Sequence, residues 1–235
     1  MSPRSKKYKE AAAKIQGKPF YSLNEAVKLL KETSNVKFDP TAEVHFGLSI
    51  DPKKADQNLR GTMTLPHGTG RKVKVAAVVT EEKVKACKEA GAVAAGLDEL
   101  IEEFNTGKVN YDIIIATPDV MKNLAKVAKT LGQKGLMPNP KSGTVTPDPV
   151  KTIKELNQGR IEYRADKEGN VHTLFGKLSF TEEQLEENLK TLVKTIKDAK
   201  PASVKGTFVR SITLCSTMGP GIALDVNEAL KAVSK

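Results

Sequence analysis

Three histidines, two cysteines and a few glycine pairs are the residues of this 235-residue chain whose types could carry chemistry. His45, His67 and His172 have no histidine or cysteine partner at metal-site spacing, so each reads as a polar surface or hydrogen-bonded residue. Cys87 and Cys215 stand 128 positions apart with no Cys-x-x-Cys pattern, and both read as small buried hydrophobes. No serine sits in a Gly-x-Ser-x-Gly elbow. Gly68-Thr69-Gly70 continues into Arg71-Lys72-Val73 where a dinucleotide grip needs a third glycine, and it precedes a strand instead of following one. The Gly-Lys pairs at 17–18, 107–108 and 176–177 lead into Pro19, Val109 and Leu178, never into the Ser or Thr that a phosphate loop requires. No catalytic set, no metal and no cofactor is expected, and the chain reads as a non-enzyme.

Charge points the other way, toward binding. Thirty-eight Lys and Arg against 28 Asp and Glu leave +10 at pH 7, which favours an anionic partner. Hydrophobic residues make up 39%, enough for a packed core. The longest apolar runs, such as Val75–Val79 and Ile113–Ala116, fall far short of the roughly 20 residues that cross a bilayer. Met1–Glu10 is charged and lacks the apolar stretch of a secretory signal, and no Asn-x-Ser/Thr sequon occurs, so a cytoplasmic protein with no membrane partner is expected.

The elements that must position these residues show two rhythms. Residues 5–16 read as a basic helix, and a second helix opens at Ser22 with Glu25 completing a capping box. Strict alternation over 41–50 puts Ala42, Val44, Phe46, Leu48 and Ile50 on one face of a strand and Thr41, Glu43, His45, Gly47 and Ser49 on the other. Residues 204–215 form a second such strand, with Phe208, Ile212 and Leu214 inward and Arg210 breaking the pattern. Segment 160–178 is patterned as a hairpin around Asp166–Gly169, and 181–198 as a helix. Between these lie near-continuous apolar strands (72–79, 92–95, 112–116) alternating with helices (81–90, 97–105, 118–129, 148–158), the signature of a parallel sheet covered on both sides.

The expected fold class is therefore α/β with two domains: a discontinuous two-layer α+β domain holding both termini, residues 1–67 and 160–235, and an inserted Rossmann-like three-layer α/β domain, residues 68–159. His67, Gly68 and Gly159 mark the crossings as a hinge. The insert carries 14 basic and 11 acidic residues, net +3, which leaves 24 basic and 17 acidic, net +7, on the two-part domain as the main anion binder.

Three segments admit both a structural and a functional reading. Lys37–Glu43 sets Phe38 and short polar groups at a strand entrance, where Phe38 could equally pack in the core. Ser216–Gly221 follows a strand as a plain turn or a binding loop. Leu131–Gly143, with two prolines and three glycines around two lysines, is a connector or a stiff contact surface.

Taken in order, the strings Lys-Phe-Asp-x-Thr-x-Glu-Val-His (37–45), Asp-Pro-Lys-Lys-Ala-Asp-Gln-Asn-Leu-Arg-Gly (51–61), Leu-Pro-His-Gly-Thr-Gly (65–70), Gly-Leu-Met-Pro-Asn-Pro-Lys (135–141) and Ser-Thr-Met-Gly-Pro (216–220) resemble the bacterial form of large-subunit ribosomal protein one, over nearly the whole chain. The resemblance implies a mobile-stalk protein of the large ribosomal subunit that binds folded ribosomal RNA through its two-part domain. It further implies contact with deacylated exit-site tRNA and other ribosome components, repression of its own mRNA through an RNA fold that mimics the ribosomal site, and a monomer when free. Carried over, the RNA surface falls on Lys37, Phe38, Thr41, Glu43, His172, Gly176, Lys177, Ser211, Thr217, Met218 and Gly219. Phe175 departs from the family's usual Ile or Val, and the tail Asp225–Lys235 extends beyond the Met-Gly-Pro loop without an assigned role. The competing expectation, from the Rossmann-like insert alone, is a small-molecule-binding protein or enzyme using the interdomain cleft.

Overall fold

The computed structural model describes residues 5–15, 17–107 and 109–233. Its elements in chain order are α1 (Lys6–Ala13), α2 (Leu23–Glu32), β1 (Thr41–Leu48), β2 (Arg60–Thr64), β3 (Val75–Val78), α3 (Glu81–Glu89), β4 (Ala94–Gly96), α4 (Asp98–Asn105) and β5 (Ile113–Ala116). These are followed by α5 (Met121–Leu124), α6 (Ala128–Gln133), α7 (Pro149–Asn157), β6 (Arg160–Arg164), β7 (Asn170–Lys177), α8 (Glu182–Asp198), β8 (Val209–Ser216), β9 (Ile222–Ala223) and α9 (Val226–Ala232). Two compact units result, 1–70 with 161–235, and 71–160. Gln16, the last residue of the expected basic helix, lies outside the described residues.

In the first unit four strands form an antiparallel sheet in the order β7-β1-β8-β9. The alternation of β1 does what a period of two requires: Ala42, Val44, Phe46 and Leu48 are buried against α2 and α8, while Thr41, Glu43, His45 and Gly47 stay partly exposed on the opposite face. Both covering helices carry reciprocal capping boxes, Ser22 with Glu25 and Thr181 with Gln184, which satisfy N–H groups that helix starts leave unpaired. Asn188, fully buried on α8, donates from Nδ2 to the carbonyls of Phe175 (2.8 Å) and Gly68 (3.1 Å) and accepts from the His67 N–H (3.0 Å). His67 and Gly68, expected at a hinge, are thus fastened to α8, and the first segment of this unit runs on to Gly70. Gly159 ends α7 with a positive φ of 100°, as a left-handed helix stop.

Two irregularities in the sheet explain breaks in the sequence pattern. Gly47 pairs with Ser211 and Leu48 with Val209, so Arg210 is the extra residue of a bulge, and Val209 turns inward beyond it. Ala42 pairs with Gly176 and Glu43 with Leu174, which leaves Phe175 as the extra residue of a second bulge, fully buried. The expected 160–178 hairpin is not formed. β6 pairs with β2 in a separate two-stranded ribbon, because Tyr163 and Ala165 are drawn into the core, and only an isolated bridge joins Ala165 to Val171. Within the tail, α9 is anchored: Asp225 caps it by accepting from the N–H groups of Asn227 and Glu228, and Ala229 is buried.

The second unit holds a parallel sheet, β4-β3-β5, extended by a bridge from Ala116 to Val145. Successive residues of β3 enter different cores. Ala76 and Val78 meet Leu100, Phe104 and Leu124 on one side, while Val75 and Ala77 meet Cys87, Ile153 and Leu156 on the other. That double burial is why this stretch is continuously apolar. The helix expected over 118–129 is instead broken by 3-10 turns at Pro118–Val120 and Ala125–Val127, which keep Val120, Leu124, Val127 and Leu131 on the core side. In the 131–143 segment Leu136 and Met137 pack on this core and Asn139 accepts from Ser142 and Thr144, so much of it serves as a packed connector.

Candidate nucleic-acid interface

The sequence-selected residues of the first unit converge on the uncovered face and one end of its sheet. Two segments 176 residues apart are locked together there: the Thr41 N–H donates to Thr217 Oγ1 (3.1 Å) and the Thr217 N–H returns to the Thr41 carbonyl (3.1 Å). Lys177 Nζ donates to Thr41 Oγ1 (2.9 Å) and to the Asp39 carbonyl (3.2 Å), while both carboxylate oxygens of Asp39 accept from Ser179, at its N–H (3.1 Å) and its hydroxyl (3.0 Å). The loop bearing Lys37 and Phe38 is therefore tied to the end of β7. Phe38 does not pack in the core; it is 55% exposed, and Met218 is 80% exposed.

Met218 is the only non-glycine residue with positive φ (66°) among those described, and the Gly219 N–H donates back to the Ser216 carbonyl (2.7 Å) to close its turn. A left-handed backbone costs an L-residue about 1–2 kcal/mol, so this side chain is held outward against a local preference. Gly219 is required inside the turn: a Cβ there would run into the Ser216 hydroxyl. Gly176 corrects the sequence reading. It is buried, with Leu185 Cδ2 at 2.9 Å and Phe180 Cδ2 at 3.1 Å from where a Cβ would stand, so it serves close packing beneath Lys177 and offers no surface.

Across the sheet face, register aligns Glu43 with Cys215, His45 with His172 and Thr213, and Gly47 with Ser211, whose hydroxyl lies over the bare glycine. His45 Nδ1 and His172 Nδ1 are 2.9 Å apart, and His172 Nε2 is 3.4 Å from Asp166. His45 was visible in the alternation of β1, yet its pairing with His172 depends on a register that no local pattern reveals. Cys215 corrects the expectation of two buried cysteines. It lies half-buried on this face, and its Sγ donates to the Gly219 carbonyl (3.4 Å). Burial, then the Glu43 carboxylate, push its thiol pKa up and keep it protonated.

Burial first and the neighbouring His172 second push the His45 pKa down, opposed by Glu43. The unfolded chain accepts this proton near pH 6.5 and the folded chain resists it. The stability contributed by His45 is therefore intact above that pH and is lost as pH falls below it. Urea midpoints are expected to drop between pH 7.5 and 5.5, and to drop less in His45→Gln; equal drops in both proteins would refute this assignment.

A two-unit α/β protein presenting a polar, uncovered sheet face with a stiffened loop at its end belongs to the class of interaction proteins. A sequence profile described as the Ribosomal protein L1p/L10e family matches residues 30–220. The chain is 47% identical over 225 residues to the large ribosomal subunit protein uL1 of Lactobacillus delbrueckii subsp. bulgaricus, covering 96% of this chain and 97% of that one. It is 50% identical over 228 residues to the protein of the same name from Mesoplasma florum, covering 97% and 100%. To that of Prochlorococcus marinus it is 53% identical over 208 residues, covering 88% of each chain. The chain belongs to the Ribosomal protein L1p/L10e family, a family of structural ribosomal proteins and not of enzymes.

Proposed function

We propose that the uncovered sheet face of the first unit binds a folded region of large-subunit ribosomal RNA, and that the protein works as a cytoplasmic, ribosome-associated structural component. The observation that carries this reading is the locking of Thr41 to Thr217, which brings two distant polar segments onto one face. A-form RNA hides its base edges and displays 2′-hydroxyls, so short donors and acceptors such as Thr41, Ser211, Thr217 and Glu43 suit ribose recognition, with His172 beside them. Lys37 and Lys177 add salt-sensitive attraction. A neutral hydrogen bond is worth about 1 kcal/mol net, whereas a buried unpaired group costs about 1–3; misfitting RNA is thereby rejected more strongly than any single contact rewards the right one. The same surface would take a fold of the protein's own mRNA that mimics the ribosomal site. Contact with exit-site tRNA belongs to the same proposed ribosomal role.

Thr217→Val removes the hydroxyl that accepts from Thr41 while keeping the side-chain shape. It is expected to weaken binding to deproteinised large-subunit ribosomal RNA at least tenfold in a filter assay, while the melting temperature falls by only about 2–4 °C for the one part-buried hydrogen bond lost. Unchanged affinity would remove this surface from consideration.

A further inference from the structure

Beside the platform runs a groove of about 600 Å³, walled on one side by α1 and on the other by the loop that leads into β1. Tyr8 and Lys7 line the helical wall, Val36 and Lys37 the loop wall, and the two outstanding hydrophobic residues of the platform, Phe38 and Met218, both border it. None of the lining residues is acidic. The walls are tied together, since Asn35 Nδ2 donates to the Lys7 carbonyl (3.3 Å), so the groove exists before any ligand arrives. We infer that this groove holds an unpaired nucleotide turned out of the bound RNA, its base against Tyr8, Phe38 and Met218 and its phosphate near Lys7 and Lys37.

The chemistry favours this occupant over an apolar peptide segment. A flat base needs aromatic and pliable apolar surface, and its attached phosphate needs nearby cations; this groove supplies both within one volume of the size that small-molecule sites show. It adjoins the ribose-reading face through Phe38 and Met218, so a strand leaving a duplex on that face reaches it without a break. The strained backbone of Met218 has a purpose on this account: it projects the side chain to the groove's border.

The inference rests on the RNA-binding reading, and the two can fail separately. Tyr8 lies outside the platform proper. With deproteinised large-subunit ribosomal RNA as the probe, Tyr8→Ala is expected to weaken binding about tenfold, in the range that loss of one base–aromatic stack produces, while Tyr8→Phe stays within about twofold of the unsubstituted chain. Ultraviolet crosslinking followed by mass spectrometry is expected to join the Tyr8 or Phe38 peptide to a nucleotide that chemical probing finds unpaired in the complex. If Tyr8→Ala binds as well as the unsubstituted chain, or the crosslinked nucleotide is base-paired, the groove assignment falls while the platform stands, provided Thr217→Val still binds weakly. If both variants bind normally, the RNA-binding reading falls with it. Circular dichroism melting of each variant separates lost contacts from lost fold.

Discussion

Replacing Asn188 by alanine is expected to destabilise the first unit by about 3 kcal/mol. The amide satisfies three backbone groups at once, and the Phe175 carbonyl among them is buried. Stranding that carbonyl costs about 1–3 kcal/mol, and the two partly solvated partners add about 1 more between them. For a chain of this size such a loss lowers the melting temperature by roughly 6–12 °C. Asn188→Asp is expected to fall at least as far, because a carboxylate accepts from the His67 N–H but gives nothing to the two carbonyls and sets a buried charge beside their oxygens. A thermal shift below about 2 °C in the alanine variant would show that water replaces the amide without penalty.

Gly219→Val is expected to produce the largest loss of RNA affinity, about a hundredfold. A side chain here meets the Ser216 hydroxyl and stands 3.2 Å from the Ser216 carbonyl, so the turn must open. Thr217 and Met218 then move together, and losing two or three contacts of about 1 kcal/mol each approaches a hundredfold. Stability should drop by only about 1–3 kcal/mol, the ordinary cost of overfilling a tight site. Filter binding beside a melting curve distinguishes the two effects. An affinity within threefold of the unsubstituted chain would mean that the turn is not part of the interface.

The parts of this molecule governed by near neighbours were legible in its sequence. The capping box at Ser22 and Glu25, the inward face of β1 and the doubly buried apolar strands of the second unit follow from spacings of two to four residues. What was not legible depended on pairing across long separations. Arg210 looked like a flaw in a strand and is the extra residue of a bulge; Gly176 looked like a surface contact and is a packing site under Leu185 and Phe180. β9 spans two residues, too short for any periodicity. The groove beside α1 escaped because its walls come from helix, loop and the turn after β8, which no local pattern brings together.

Strand β1 sits between two partners that arrive much later in the chain, as the His45–His172 and Thr41–Thr217 links span 127 and 176 residues. During synthesis it emerges with both edges bare; β7 can cover one of them once residue 177 is out, but the other stays open until residue 216 has left the machinery that makes it. An unpaired, half-apolar edge is an invitation to stray association, and non-local closure of this kind slows folding. The parallel sheet of residues 71–160, whose strands lie within 75–116, faces no such delay. The nascent chain thus has a built-in vulnerable interval, and chaperone dependence should concentrate on intermediates truncated before β8.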